Sequence, residues 1–184
     1  MENLYGAGRE KMTTQAEKDL TTYYSGSITD KLRVARRLYQ QHGPRLLQNR
    51  DITDTLESLQ HKANDLDEQM LAMGMGARCS ACAARVDGGC CSSYMAGNTD
   101  GIVLLINLLL GISITPADNG EECCYLGPRG CIFTIKPIFC LNYNCSHIQQ
   151  EATKEELKNL EIRTGALLSE QIGLEKLLLQ LAEK

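Results

Sequence analysis

Nine cysteines lie between residues 79 and 145 of this 184-residue chain, and none lies elsewhere. The first group has the pattern C-x2-C-x7-CC, and the second has the pattern CC-x6-C-x8-C-x4-C. A C-x2-C turn lets two thiolates approach one ion, and gathered thiolates repel one another unless a cation neutralises them. Because soft sulfur ligands select zinc, copper(I) or iron–sulfur clusters, the pattern predicts a metal or iron–sulfur site. The nine residues are Cys79, Cys82, Cys90, Cys91, Cys123, Cys124, Cys131, Cys140 and Cys145.

Other uses of cysteine explain this pattern less well. One or two cysteines would ordinarily be small buried hydrophobic residues, but nine in so short a stretch are unusual. A redox-active C-x-x-C pair is expected beside a βαβ pattern, and no such pattern surrounds Cys79 and Cys82. An odd number of cysteines also does not allow complete internal disulfide pairing.

The composition restricts the expected cellular location of the protein and the classes of partner that it binds. The first 24 residues contain no apolar segment typical of a secretory signal, so we expect a cytoplasmic protein with reduced thiols. The most apolar run, Ile102 to Ile112, is shorter than the roughly 20 residues that a membrane helix needs. With a net charge of −4, 5% aromatic residues and no Trp, we expect neither a nucleic-acid nor a membrane partner.

The sequence on either side of the cysteines is typical of helices. Ser27 and Asp30 indicate a helix start, and the helix is expected to stop before Pro44. A second helix is expected from about Asp51, with apolar residues spaced alternately by four and three from Ile52 to Met73, and to end at Gly74. The same spacing, with two polar interruptions, recurs from Leu160 to Leu181.

These patterns predict a mainly α fold, in which helical arms flank an irregular cysteine-rich metal-binding domain. The predicted segments are an N-terminal helical arm at 1–78, a cysteine-cluster domain at 79–149 and a C-terminal helix at 150–184. The last helix is expected to pack antiparallel on the N-terminal arm. So regular an apolar seam also predicts a homo-oligomer or a protein partner bound through the arms.

Basic residues are concentrated on the predicted helix at 28–42 and its tail, and acidic residues on the helix that follows. We expect the basic side chains to face this acidic neighbour or solvent, rather than RNA or a membrane. They are Lys31, Arg33, Arg36, Arg37, Arg45 and Arg50.

The stretch CCYLGPRGCIFTIKPIFCLNYNC resembles the second half of the YkgJ-like cysteine-cluster family, described as zinc- or iron-chelating domains. That family has the signature C-x-F-L, C-x-I-Y and R-P-x-x-C. Here Cys123 with Leu126 corresponds to the first piece, Cys131 to the second, and Pro137 with Cys140 to the third, preceded by Lys136 in place of arginine. The family's first half, C-x2-C-x2-CC, differs from this chain, where the second gap is seven residues.

The resemblance covers about residues 79–147 and implies further features. The family has a threonine-capped helix between the two halves, which predicts a helix opened by Thr99 and closed by Gly111. It also implies eight candidate ligands, which could serve one cluster with spare thiols, two four-thiolate sites or one larger cluster. Cys124 is left over as a possible ligand, and His147 is a further candidate that could replace a cysteine. The eight are Cys79, Cys82, Cys90, Cys91, Cys123, Cys131, Cys140 and Cys145.

The spacing favours an iron–sulfur cluster, for example of the 4Fe-4S type, over zinc, which usually binds two separate C-x2-C turns. The cluster would serve electron transfer or a partner-docking module. Two alternatives stay open: an enzyme whose cluster keeps an open iron position, and a structural zinc-binding domain. The chain has no radical-SAM C-x3-C-x2-C spacing, P-loop, GxSxG or HExxH motif that would specify an enzyme class.

Overall fold

The computed structural model describes residues 15–75, 89–127, 130–141 and 145–182. The chain is mainly helical, with a small irregular region that contains the cysteines, as the sequence predicts. The helices are α1 (Gln15–Ser25), α2 (Ile28–Leu46), α3 (Arg50–Ala72), α4 (Ser93–Gly97), α5 (Gly101–Leu109), α6 (Ser146–Gln149) and α7 (Lys154–Ala182), with a 3-10 turn at Ile138–Leu141. Two short strands, β1 (Leu126–Gly127) and β2 (Gly130–Cys131), pair antiparallel.

Helix α2 begins as predicted and ends later than predicted. The Ser27 hydroxyl accepts a hydrogen bond from the Asp30 amide at 3.2 Å, which makes Ser27 the N-cap. The expected stop before Pro44 is wrong, because the helix continues to Leu46 with Pro44 inside its last turn. A proline there removes one N–H near the helix end. The buried Leu46 and the bond from the Leu47 amide to the Gly43 carbonyl (2.9 Å) close the turn.

Helices α3 and α7 form an antiparallel pair, which confirms the predicted return of the last helix onto the N-terminal arm. The ammonium of Lys62 lies 2.7 Å from the Glu170 carboxylate, and Arg163 donates to the Asp65 carbonyl at 2.7 Å. Lys62 contacts Glu170, whereas Asp65, later in α3, contacts Arg163, earlier in α7; the two helices therefore run in opposite directions. The predicted seam is therefore buried within one chain, by Ile52, Leu56, Leu59, Ala63 and Leu66 of α3 and Leu160, Leu167, Leu174 and Leu178 of α7.

Helix α5 packs against α2 and α1. Its N-cap is Asp100, whose carboxylate accepts from the Val103 amide at 2.8 Å, so the expected threonine cap at Thr99 is wrong. Thr99 is instead buried just before the helix. A side chain at Gly101 would clash with the Tyr23 ring, which explains why glycine occupies the first turn there. Gly111, at φ 79°, follows the helix, as expected.

One polar side chain connects α5 to the segment that follows the β-hairpin. Asn107 is fully buried, and its amide nitrogen donates to the carbonyls of Val103 (2.9 Å) and Ile135 (2.8 Å). Its amide oxygen accepts from the backbone N–H groups of Thr134 (3.0 Å) and Ile135 (3.1 Å). Buried backbone groups need such partners, so Asn107 holds this segment in place.

Side chains from all three predicted segments contribute to one hydrophobic core, which includes Leu59, Leu104, Tyr125, Ile135 and Leu174. Helix α5, in the middle segment, supplies an almost wholly buried surface. Within the described ranges, no helix is both long and apolar enough to cross a membrane.

We predict that Asn107→Ala lowers the free energy of unfolding by about 2–4 kcal/mol, since it leaves buried amide and carbonyl groups without partners. Chemical denaturation monitored by circular dichroism measures this quantity. The matched control is Asn98→Ala, because Asn98 is exposed and makes one local bond to the Tyr94 carbonyl. We expect the control to stay within about 0.5 kcal/mol of the parent. Equal losses in both variants would contradict the role given to Asn107.

A second prediction concerns the carboxylates of Glu175 on α7 and Asp100 at the start of α5. Burial and the charge of Asp100 raise the pKa of Glu175, while a hydrogen bond from the Gln171 amide at 3.0 Å lowers it in part. Burial also raises the pKa of Asp100, and the cation of Lys31 acts in the opposite direction. Tyr24 is the other titratable group near both. Because the folded-state pKa is raised, the stabilisation is present at acid pH and is lost as the pH rises through that pKa.

We therefore expect Glu175→Gln to unfold at a higher temperature than the parent near pH 7, and the difference to shrink towards pH 4. Thermal unfolding across this pH range measures both effects. Glu161→Gln, on an exposed position of the same helix, is the control and should not change the pH profile. A Glu175→Gln variant that is less stable than the parent at pH 7 would contradict the prediction.

Candidate metal centre

Five cysteines from four separate segments are close enough for their charges to interact. Ionisation of Cys91 is affected by Cys90, Cys123 and Cys131, and that of Cys140 by Cys131, Cys123 and Cys90. We call these residues the thiol group: Cys90, Cys91, Cys123, Cys131 and Cys140. All of them are free thiols, so no disulfide accounts for their proximity.

A short backbone pairing joins the two adjacent-cysteine motifs. The Cys123 amide donates to the Cys91 carbonyl at 3.0 Å, and the Ser93 amide donates to the Glu121 carbonyl at 2.8 Å. An antiparallel bridge between Ser92 and Glu122 lies between these two bonds. The pairing therefore places residues 90 and 91 beside residue 123, although 31 residues separate Cys91 from Cys123 along the sequence.

The β-hairpin and the 3-10 turn supply the other two thiols. Cys131 ends the hairpin, opposite Leu126, and the Ile132 amide donates to the Tyr125 carbonyl at 3.0 Å. Gly130, at φ 105°, gives the hairpin a backbone conformation that other residues rarely adopt. Cys140 lies in the 3-10 turn, where its amide donates to the Pro137 carbonyl at 2.9 Å.

Removal from water makes most of these thiols hard to ionise. Burial raises the pKa of Cys123 and Cys131, and burial together with the neighbouring thiols raises the pKa of Cys140 to about 12. Cys90 is the exception, because a hydrogen bond with the Cys91 thiol lowers its pKa to about 6 and raises that of Cys91. Without a bound cation, therefore, most of the five thiols are expected to stay protonated.

Lys136 brings a positive charge to this region. Its cation lowers the pKa of both Cys131 and Cys140, but burial raises the pKa of each thiol by more. The ammonium lies 2.9 Å from the Asp67 carboxylate of α3, so the position of this charge depends on the helical arm.

A layer of buried apolar side chains comes from residues close to Cys123, Cys131 and Cys140 in the sequence. Tyr125 and Phe133 pack with ring centroids 4.5 Å apart, and both are buried. Leu141, next to Cys140, is also buried. Such a layer lowers the local polarity, which strengthens interactions between thiolates and a bound cation.

Several predicted site residues are not placed in the thiol group by the described contacts. The charge of Cys123 raises the pKa of Cys124, and whether Cys124 is a ligand stays a prediction. Cys145 is exposed at the start of α6, and the described contacts do not link it to the five thiols. Cys79 and Cys82 lie outside the described residues, and so does the side chain of His147.

The donor chemistry suits a thiophilic metal or an iron–sulfur cluster. Five sulfur donors are gathered in a partly buried site with little negative charge of their own, and a cation would favour their ionisation. Within the ranges that the structure describes, no three Cys, His, Asp or Glu side chains already stand at metal-binding distances.

Two residues that support the site were not predicted from the sequence. Asn119 donates from its side-chain amide to the carbonyls of Cys123 and Leu126, both at 3.0 Å, and so fixes the turn that carries Cys123. Asn107 holds the segment between Cys131 and Cys140. An asparagine in the otherwise apolar run GIVLLINLL was the available signal for Asn107, because a buried amide needs partners.

No protein family, curated protein or solved structure matches this chain. The resemblance to the YkgJ-like cysteine-cluster family therefore rests on the motif residues named above, and the ligand assignment stays a prediction.

Proposed function

We propose that this protein binds a metal through its cysteine-rich region and holds an iron–sulfur cluster there. The observation that carries the proposal is the thiol group, in which backbone pairings bring free thiols from separate segments together; Cys90 and Cys131 are exposed and the other three are half-buried. Mutual repulsion and desolvation oppose such an arrangement of thiolates, and a bound cation removes both costs. When bound, a cluster would supply one-electron transfer.

An iron–sulfur cluster is favoured over zinc by the surroundings of the thiols. The apolar layer of Tyr125, Phe133 and Leu141 suits a cluster that must be kept from water. The thiols come from adjacent pairs and isolated positions rather than from two C-x2-C turns, which zinc sites usually use. Reduced thiols in a cytoplasmic setting are part of the same proposal.

Metal, iron and acid-labile sulfide analysis, with a visible absorption spectrum, tests this proposal on protein purified without oxygen. We expect iron and sulfide in similar amounts and a brown protein. Stoichiometric zinc in colourless protein would replace the cluster by a structural zinc site. Protein without any bound metal after purification and anaerobic reconstitution would overturn the metal-binding proposal.

We predict that Cys131→Ser and Cys140→Ser each lose most of the metal, because both thiols belong to the thiol group. Cys124→Ser is the matched control, since Cys124 neighbours Cys123 in sequence but is not among the eight predicted ligands, and it should keep the metal content of the parent. Metal per protein after anaerobic purification is the measurement. Equal loss in the control would refute this division of the cysteines.

We also propose that the helical arms bind a second copy of the chain. The heptad seam is already buried between α3 and α7, so association must use outer positions such as Leu71 (78% exposed) and Ile162 (59% exposed). Exposed large apolar side chains favour association.

Sedimentation velocity at high micromolar concentration is expected to show reversible dimers, and the combined change Leu71→Glu and Ile162→Glu to weaken them. Glu161→Gln, next to Ile162 on an exposed position, is the control. A parent protein that stays monomeric at this concentration would contradict the proposal.

A further inference from the structure

A cleft of about 540 Å³ lies on α2, away from the cysteines in sequence. Its walls come from one face of α2 and from Pro116, in the segment that follows α5. The lining residues are Thr29, Leu32, Arg33, Arg36, Arg37, Gln40 and Pro116. Three of the seven are arginines and none is acidic, so the lining is positively charged even though Asp30 pairs with Arg33.

Local bonds hold two of these arginines in place. Arg33 pairs with the Asp30 carboxylate, which also accepts a hydrogen bond from the Ser27 hydroxyl at 2.6 Å. Arg36 donates to the Ile114 carbonyl at 2.6 Å. Each bond uses part of the guanidinium, which has five N–H donors in a planar fork, so donors remain for a ligand.

The charge of the cleft differs from that of the whole molecule. The chain has a net charge of −4, whereas α2 carries five basic residues and one acidic residue. The side chains of Arg33 and Arg36 are both exposed, and their described bonds go to Asp30 and to a backbone carbonyl; of the two expected surroundings, the acidic side chains of α3 and solvent, these two residues have solvent. Arg36, which donates to a neutral carbonyl, therefore brings positive charge to a concave surface where a ligand can reach it, whereas Asp30 offsets part of the charge of Arg33.

We propose that this cleft binds the phosphate group of a small phosphorylated molecule. Closely spaced guanidinium groups match phosphate oxygens in geometry and charge, and they suit a multiply charged anion better than a single carboxylate. The volume is that of a small-molecule site, and Pro116, which is half-buried, offers apolar contact to the rest of the ligand. A concave site of this size suits a small ligand better than a membrane surface or a nucleic acid.

Isothermal titration with inorganic pyrophosphate tests the proposal on the full chain at physiological ionic strength, where interactions between distant exposed charges are largely screened. We expect saturable binding to one site, and affinity lowered about tenfold or more in Arg36→Gln and Arg33→Gln, because each removes charge-assisted hydrogen bonds. Arg45→Gln is the control, since Arg45 lies on the same helix outside the lining. It should bind like the parent.

Circular dichroism and thermal unfolding establish that each variant is folded before its affinity is compared. Absence of binding by the folded parent at millimolar pyrophosphate would overturn the proposal. An equal loss of affinity in Arg45→Gln would do the same, because it would indicate general charge attraction. Binding to anionic phospholipid vesicles without binding to pyrophosphate would assign the arginines to a membrane surface instead.

Discussion

Thiol groups that lie side by side and partly out of water cannot all ionise, and this constraint governs the cysteine-rich region. Desolvation raises the pKa of Cys123, Cys131 and Cys140, and each thiolate would raise the others further. The hydrogen bond between Cys90 and Cys91 and the charge of Lys136 relieve this cost only in part. The proposed metal or cluster is the group that would relieve it fully, because it supplies positive charge at the sulfur atoms themselves.

The surrounding helices determine where these thiols lie. Asn107 ties the segment between Cys131 and Cys140 to α5, and α5 packs against α2. Asp67 of α3 holds Lys136, and α3 is in turn held by its long contact with α7. The described part of the cysteine-rich region around these thiols contains only short elements of its own, so its geometry depends on side chains that reach it from the helical core.

The helical part of the fold was predictable because local signals and periodicity agree. Ser27 caps α2, and the spacing from Ile52 to Leu66 buries one face of α3 against α7. Errors arose where several signals compete, as at Pro44, which a helix end tolerates, and at Asp100, which caps α5 in place of Thr99. The meeting of Cys91 with Cys123 was not predicted, because a pairing across 31 intervening residues leaves no periodic pattern in the sequence.

One segment connects the arginine-lined cleft with the cysteine-rich region. The Ile114 carbonyl accepts the hydrogen bond from Arg36, Pro116 lines the cleft, and the Ala117 amide donates to the Cys124 carbonyl at 2.8 Å. Cys124 is not assigned as a ligand, so this contact reaches the edge of the thiol group rather than its interior. The two proposed sites thus share a structural support but not a chemical group, and for this reason loss of metal and loss of anion binding can be measured separately.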